Sequence, residues 1–379
     1  MSATRYRIFI TVAPGLEALL EQELLHLGIL DQTAGEAGRG TRGTSATRLT
    51  GGLELAGDRR SLWTVACCSR VAETVRVRVG SPFVATSFED LRQGLLRLPW
   101  AAYLRRGGSL PRVRVTCHRS RLYHSGAVAQ RVEQVLAQRL GDEAGDETEG
   151  QVYLRLERNR VQVSIDASGD PLHRRGYRLQ VGQAPLRETL AAACLQAAGY
   201  AGGPLWDPFC GSGTLPIEAL AMAAGILPGT HRHFAFERWP THAPDEYGRW
   251  AASLPAPGDA SAQVFGSDRD PLALKAAAAN ARTAELDACL TLVEGDFEQV
   301  AARIPAGTMI VSNPPYGHRV PAQRDLYQRF GQLLGRTDMG PVYVLTAMRG
   351  FGRATGLKWE PTLEFSNQGL RVRLLHLSL

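Results

Sequence analysis

The segment Ser312-Asn313-Pro314-Pro315-Tyr316-Gly317 carries the residue types that best fit a chemistry. An exocyclic amine on a nucleobase is a poor nucleophile, because its lone pair is delocalised into the ring. An Asn313 side-chain oxygen and the Pro314 carbonyl could accept the two amine hydrogens, pulling nitrogen towards tetrahedral geometry with its lone pair aimed at a methyl donor. Pro314 and Pro315 would hold these acceptors without an ordering cost at each turnover, and Tyr316 could stack on a flipped base. The plain alternative is a rigid turn, since two prolines fix two φ angles and Asn readily starts a turn.

A second constellation is the run Asp207-Pro208-Phe209-Cys210-Gly211-Ser212-Gly213-Thr214 after Trp206. Its glycines, between a strand and a helix, let the backbone pass close to a ligand at a helix N-terminus. Gly-x-Gly alone equally describes a tight strand-to-helix turn. Acids at the ends of later strands add to it: Asp268, followed by Arg269, and Asp296, followed by Phe297. The first can accept from ribose hydroxyls and the second can reach an adenine amine. Pro216 replaces the third glycine of a dinucleotide fingerprint, and Asp268 lies far beyond its usual spacing of about 20 residues. A nucleoside ligand without a pyrophosphate suits the site better.

The elements that must position these groups read as follows. From about residue 184, short apolar strands alternate with alanine-rich helices: strands at 205–208, 263–267, 290–293, 309–312 and 342–345, helices at 184–199, 214–224, 271–283 and 326–334. That alternation predicts a parallel sheet covered on both faces, with the Asn-Pro-Pro loop after its fourth strand, where open α/β folds bind ligands. Leu363–Phe365 and Val372–Leu377 flank a glycine-containing turn and predict a closing antiparallel hairpin. Before residue 170, strands at 6–12, 74–79, 112–117, 152–156 and 161–165 interleave with helices near 16–27, 86–98 and 127–140, an α+β pattern. Residues 31–51 and 141–150 read as loops. The Pro-rich stretch 228–262 holds three histidines, His231, His233 and His242, but reads as an insertion packed by its own aromatics.

The 379 residues carry a net charge of +6 and 44% hydrophobic side chains, ordinary globular composition for two or three domains. With no apolar run long enough to cross a membrane or act as a leader, the expectation is a soluble, cytoplasmic protein with no membrane partner. Six cysteines without a C-x-x-C pair indicate neither disulfides nor zinc, and no metal ligand is assigned. Residues 1–180 hold 26 basic and 19 acidic side chains, against 17 and 18 in residues 181–379, so the whole excess lies in the first half. From Leu91 to Val132 there are nine arginines and no acid. Such a run is usually a solvated face. Alternation in Arg112-Val113-Arg114-Val115 nevertheless projects arginines from one side of a strand, and Arg119, Arg121, Tyr123 and Arg131 lie nearby. All but Lys275 and Lys358 of the basic residues are arginine, which codon bias explains as readily as phosphate recognition.

Ala13-Pro14-Gly15-Leu16-Glu17, Pro171-Leu172-His173-Arg174-Arg175-Gly176-Tyr177-Arg178, Gly182-Gln183-Ala184-Pro185-Leu186-Arg187-Glu188, the glycine turn, Gly266-Ser267-Asp268 and the Asn-Pro-Pro-Tyr-Gly loop together resemble class I S-adenosylmethionine-dependent RNA methyltransferases with a THUMP RNA-binding domain, and among them the bacterial 23S rRNA guanine-N2 methyltransferases. The resemblance covers almost the whole chain. It implies an α/β fold: a Rossmann-like methyltransferase domain over 184–379, with a mostly parallel seven-stranded sheet, preceded by a ferredoxin-like module (1–60), a THUMP domain (61–168) and a linker (169–183). It implies S-adenosyl-L-methionine over Asp207–Thr214, with Asp268 on the ribose, Asp296 on the adenine, and Arg269, Phe297 and Asn313 beside it. Asn313, Pro314, Pro315 and Tyr316 become the target-base clamp, and Arg112, Arg114, Arg119, Arg121, Tyr123 and Arg131 the RNA contacts. Enterobacterial relatives carry a second fused methyltransferase half; the chain stops before it, so a second modification is not expected. The expected activity is methylation of guanosine N2 in 23S rRNA or its precursor, with no obligate protein partner evident. Guanine-N2 methylation of tRNA is the close rival. DNA and protein-glutamine methyltransferases share the loop but lack the basic first half. A non-catalytic RNA-binding ribosome-assembly factor is the reading from another class, against which the intact acids and loop speak.

Overall fold

The structure, a computed structural model, describes residues 5–31, 45–141, 150–178, 186–258, 262–315, 323–335 and 338–378. Two sheets organise it. The first contains β1 (Tyr6–Thr11), β2 (Ala46–Leu49), β3 (Gly52–Gly57), β4 (Thr74–Arg78), β5 (Phe83–Val84), β6 (Arg112–His118), β7 (Gln151–Glu157) and β8 (Arg160–Asp166). Their order is β2-β3-β1-β4-β8-β7-β6, with β5 on β8. Helices α1 (Glu17–His26), α2 (Arg59–Cys68), α3 (Phe88–Leu96) and α4 (Ser125–Leu140) accompany it. Alternation dictates the faces: Ile8, Ile10, Val75, Val77, Val163 and Leu154 are buried against the helices, while their neighbours in sequence point away. The sheet is continuous across the expected 60/61 division, for β4 pairs with β1 on one side and β8 on the other.

Part of the 31–51 loop reading is corrected. Residues 32–44 lie outside the described residues, as do 142–149 of the acidic loop, but Ala46–Leu49 is a strand hairpinned onto β3. It is an edge strand with three of its four residues exposed, so no apolar alternation advertises it.

The second sheet is built from β9 (Leu205–Asp207), β10 (Val264–Asp268), β11 (Leu290–Glu294), β12 (Met309–Ser312), β13 (Val342–Thr346), β14 (Trp359–Asn367) and β15 (Leu370–Leu377), in the order β11-β10-β9-β12-β13-β15-β14. The first five are parallel, and β15 runs antiparallel to both β13 and β14. This is the Rossmann-like methyltransferase architecture expected, closing hairpin included. Helices α5 (Glu188–Ala197), α6 (Thr214–Ala223), α7 (Pro244–Ala252), α8 (Pro271–Thr283), α9 (Phe297–Ala301), α10 (Gln323–Leu334) and α11 (Phe351–Thr355) complete the fold. Chain order reverses between β10-β9 and β9-β12, and that switch point opens a crevice at the strand C-termini. Among the described residues no helix is long and apolar enough to cross a membrane.

Polar contacts and aromatic rings join the two halves. Glu23, on α1, is almost fully buried and accepts bonds from Ser69 Oγ (2.5 Å), Arg70 N (2.8 Å) and Gln196 Nε2 (2.9 Å) of α5. Arg70 donates to the carbonyls of Ala221 and Ile226, and Glu73 accepts from Thr189 Oγ1 at 2.7 Å. The 228–262 segment is packed by aromatics as expected, with Phe234 stacked on Phe236, but not by its own alone: Trp63 meets Tyr247 and Trp250, and Tyr6 and Tyr103 meet Trp239. Removing Glu23 leaves several buried donors unpaired, so Glu23→Ala should cost about 2–3 kcal/mol of stability. Urea titration followed by tryptophan fluorescence reads this, and a loss under about 0.5 kcal/mol would show the cluster idle.

Candidate active site

β9 delivers Asp207 to the floor of the crevice, fully buried. The chain then turns through Gly211 (φ +53°) and Gly213 (φ +84°) into α6. Both are left-handed positions where glycine relieves strain. At Gly213 a Cβ would also press on Ala277 of α8 at 3.0 Å, whereas at Gly211 it would meet nothing within 4 Å. Open space therefore lies above the turn where the backbone must approach a ligand. Asp268, at the end of β10, braces it: its Oδ2 accepts from Gly211 N and its Oδ1 from Asp270 N, both at 3.0 Å. From below, Asn280 Nδ2 donates to the Ser212 carbonyl at 3.1 Å. Arg178 donates to Thr214 Oγ1 at 2.6 Å and pairs with buried Glu188 at 3.1 Å.

β12, hydrogen-bonded beside β9, ends at Ser312, whose hydroxyl donates to Asp207 Oδ1 at 2.5 Å. Asn313 follows at once. Its side-chain Oδ1 is buried and meets no hydrogen-bond donor among the described residues. An unpaired buried acceptor costs stability, and this one can chemically accept a hydrogen bond from a donor that a ligand brings. Pro314 is buried and Pro315 exposed, with the Pro315 carbonyl accepting from the Tyr327 hydroxyl of α10 at 2.5 Å. Tyr316 lies outside the described residues.

The RMKL-like methyltransferase domain model matches residues 175–361. A candidate RNA methyltransferase of Synechocystis sp., slr0064, is 30% identical over 100% of this chain and 98% of its own length. The chain belongs to this methyltransferase family. The chain is also 34% identical, over 98% of its length, to ribosomal RNA large subunit methyltransferase K/L of Stutzerimonas stutzeri, of which it covers 52%. It thus spans about half the length of the K/L relatives it matches. Among solved structures, SMU.472, a candidate methyltransferase crystallised as its complex with SAH, superposes with a TM-score of 0.84 at 26% identity, covering 99% of this chain and 98% of that one. S-adenosylmethionine is accordingly the cofactor, and the turn is open to a ligand: a Cβ at Gly211 would meet nothing within 4 Å, and the Asp268 carboxylate lies beside it.

The other residues singled out in the sequence divide. Phe297 is buried, in ring contact with Phe209 and Phe330, as part of the core. Asp296 caps α9 and pairs with Arg329 at 2.9 Å, so a ligand amine would share its carboxylate with a guanidinium. Cys210 is buried with its Sγ against Gly266, and Arg269 is exposed. On the first sheet, Arg112 and Arg114 project exposed from edge strand β6, Arg119 (φ +48°) and Arg121 occupy the turn after it, and Tyr123 is 69% exposed. Arg131 is half-buried beside Phe88. Ser312, Tyr327 and Arg329 are the supporting residues that sequence reading missed. Among the described residues, no group of histidine, cysteine and acid could hold a metal.

Burial pushes the Asp207 carboxyl up to about 7, the Asp268 charge adding to it and the Ser312 bond opposing. The native state thus keeps a proton that an unfolded Asp, with its ordinary value near 3.8, has lost. Its contribution to stability is full below about pH 4 and is lost as pH rises towards 7. Asp207→Asn keeps an acceptor for Ser312 but cannot titrate. The melting temperature of the variant relative to the parent should therefore climb between about pH 4 and 7, and a flat difference would refute the shift.

Proposed function

We propose that this chain transfers a methyl group from S-adenosylmethionine to the exocyclic N2 of a guanosine in large-subunit (23S) ribosomal RNA. The observation that carries the reading is the buried Oδ1 of Asn313 just after β12, without a hydrogen-bond partner among the described residues and one residue from the hydroxyl that grips Asp207. An amide oxygen cannot act as a strong base, but it can accept an amine hydrogen. The Pro314 carbonyl accepts the other, and nitrogen is left with its lone pair directed at the incoming carbon. When bound, S-adenosylmethionine supplies an electrophilic methyl group on sulfur. The alkylated nitrogen is acidic and gives its extra proton to water, so the clamp needs no general base. Ser312 and Tyr327 keep Asn313-Pro314-Pro315 in register with the glycine turn, the positioning on which such transfers depend.

Ribosomal RNA as the substrate is supported by the name of the K/L relatives and by a first half that holds all the excess positive charge. The exposed arginines of β6 and the turn after it, with Tyr123, offer phosphate and base contacts in one region.

With labelled S-adenosylmethionine and large-subunit RNA lacking the modification, Asn313→Ala should lower transfer about a hundredfold or more, while cofactor affinity stays within a few-fold. Equal transfer by both forms sinks the clamp, and a product other than N2-methylguanosine in nuclease digests sinks the target atom. Reversing two phosphate-facing charges, Arg119→Glu with Arg121→Glu, should weaken RNA binding and reduce the slope of log affinity against log salt by about 1–2. Cofactor affinity should not move; unchanged RNA affinity would remove these residues from the interface.

A further inference from the structure

The face of the first sheet turned away from its helices is a chemical surface in its own right. Pairing registers place Arg114 beside Tyr153, Tyr153 beside Ser164, and Ser164 beside Arg78. Arg155 follows two residues along β7, on the same face. Arg76 reaches across β8 so that its guanidinium carbon lies 3.6 Å from the centroid of the Tyr153 ring. Its Nε is buried with no hydrogen-bond partner among the described residues. Arg112 and Arg114 are exposed and have no carboxylate partner among the described residues. The ordinary fate of a polar sheet face is to balance its charges across strands. Arg78 does so, pairing with Glu54 at 2.7 Å, Arg155 pairs with Glu157 at 2.9 Å, and Arg76 lies opposite Asp166 of β8, but Arg112 and Arg114 on edge strand β6 are left unbalanced among the described residues.

We propose that this end of the open face, centred on the Tyr153–Arg76 stack and flanked by Arg112 and Arg114, binds single-stranded RNA. Phosphates meet the arginines, and an unpaired base stacks on the planar pair. The inference rests on the proposed RNA substrate and extends it from the turn at Arg119–Tyr123 to a second surface. The occupant follows from complementarity. The surface offers positive charge together with flat π systems, which suits a polyanion whose bases are free to splay out; a duplex hides its base faces and could use only the charge. The Tyr153 hydroxyl is already held by Gln151 at 2.6 Å, so the ring is pre-oriented and loses little freedom on binding.

The test uses the full chain and a fluorescein-labelled, unstructured RNA of about 12 nucleotides, alongside its blunt duplex. By anisotropy, Tyr153→Leu should weaken the single strand about tenfold and the duplex less than about twofold, while Tyr153→Phe, which keeps the ring, stays within about twofold of the parent. Equal weakening of strand and duplex, or none, overturns the platform. Because Tyr153→Leu could also loosen the sheet, the parent protein provides a second measurement. A 4-thiouridine version of the probe, irradiated and mapped by mass spectrometry, should crosslink to the peptide containing Tyr153; crosslinks confined to residues 119–131 overturn the proposal. Failure of the parent to bind either probe would instead sink the RNA reading, whereas binding and methyl transfer with no Tyr153 effect would remove the platform alone.

Discussion

A buried hydroxyl–carboxyl bond, Ser312 Oγ to Asp207 Oδ1 at 2.5 Å, ties together the two segments that define the crevice. β9 and β12 are neighbours in the second sheet although far apart in the chain, and the bond fastens their C-terminal ends where the glycine turn and the Asn-Pro-Pro loop begin. A carboxyl with no water around it is costly, and two donors offset part of that cost: Ser312 and the Phe209 N–H both donate to the same oxygen. The glycine turn is then braced by Asp268 and Asn280, and the Asn-Pro-Pro loop by Tyr327. The buried Asn313 Oδ1 meets no donor among the described residues, and that gives the arrangement its chemical direction.

What was legible in the sequence was what is local in the chain. The parallel strands show as short apolar runs because both faces of that sheet are covered, and the glycine turn and the Asn-Pro-Pro loop are contiguous strings. Residues 46–49 were illegible as a strand because an exposed edge needs no apolar pattern. Ser312, Tyr327 and Arg329 were illegible as site residues for a different reason: serine, tyrosine and arginine are unremarkable in isolation. Their roles exist only through contacts made by folding, one of them across 105 residues of chain. The same holds for the aromatic segment 228–262. Its richness in rings was plain, but that Trp63, Tyr6 and Tyr103 of the other half complete the cluster could not be read from it.

That cluster bears on how a basic half and a near-neutral half can work on one substrate. Separate binding and reacting domains on a loose linker would gain only effective concentration from their tether. Here the junction is filled instead by buried polar pairs around Glu23 and Glu73 and by aromatic edges, contacts that are specific in direction as well as favourable in energy. Arg175 belongs to the same junction, donating to the Arg70 carbonyl, and Arg178, three residues on, reaches the first residue of α6. A short stretch of chain therefore touches both the junction and the glycine turn. On the proposed reading, RNA held by the arginines of the first sheet meets the crevice in a set orientation, and the energy of that grip becomes available for placing one amine against Asn313.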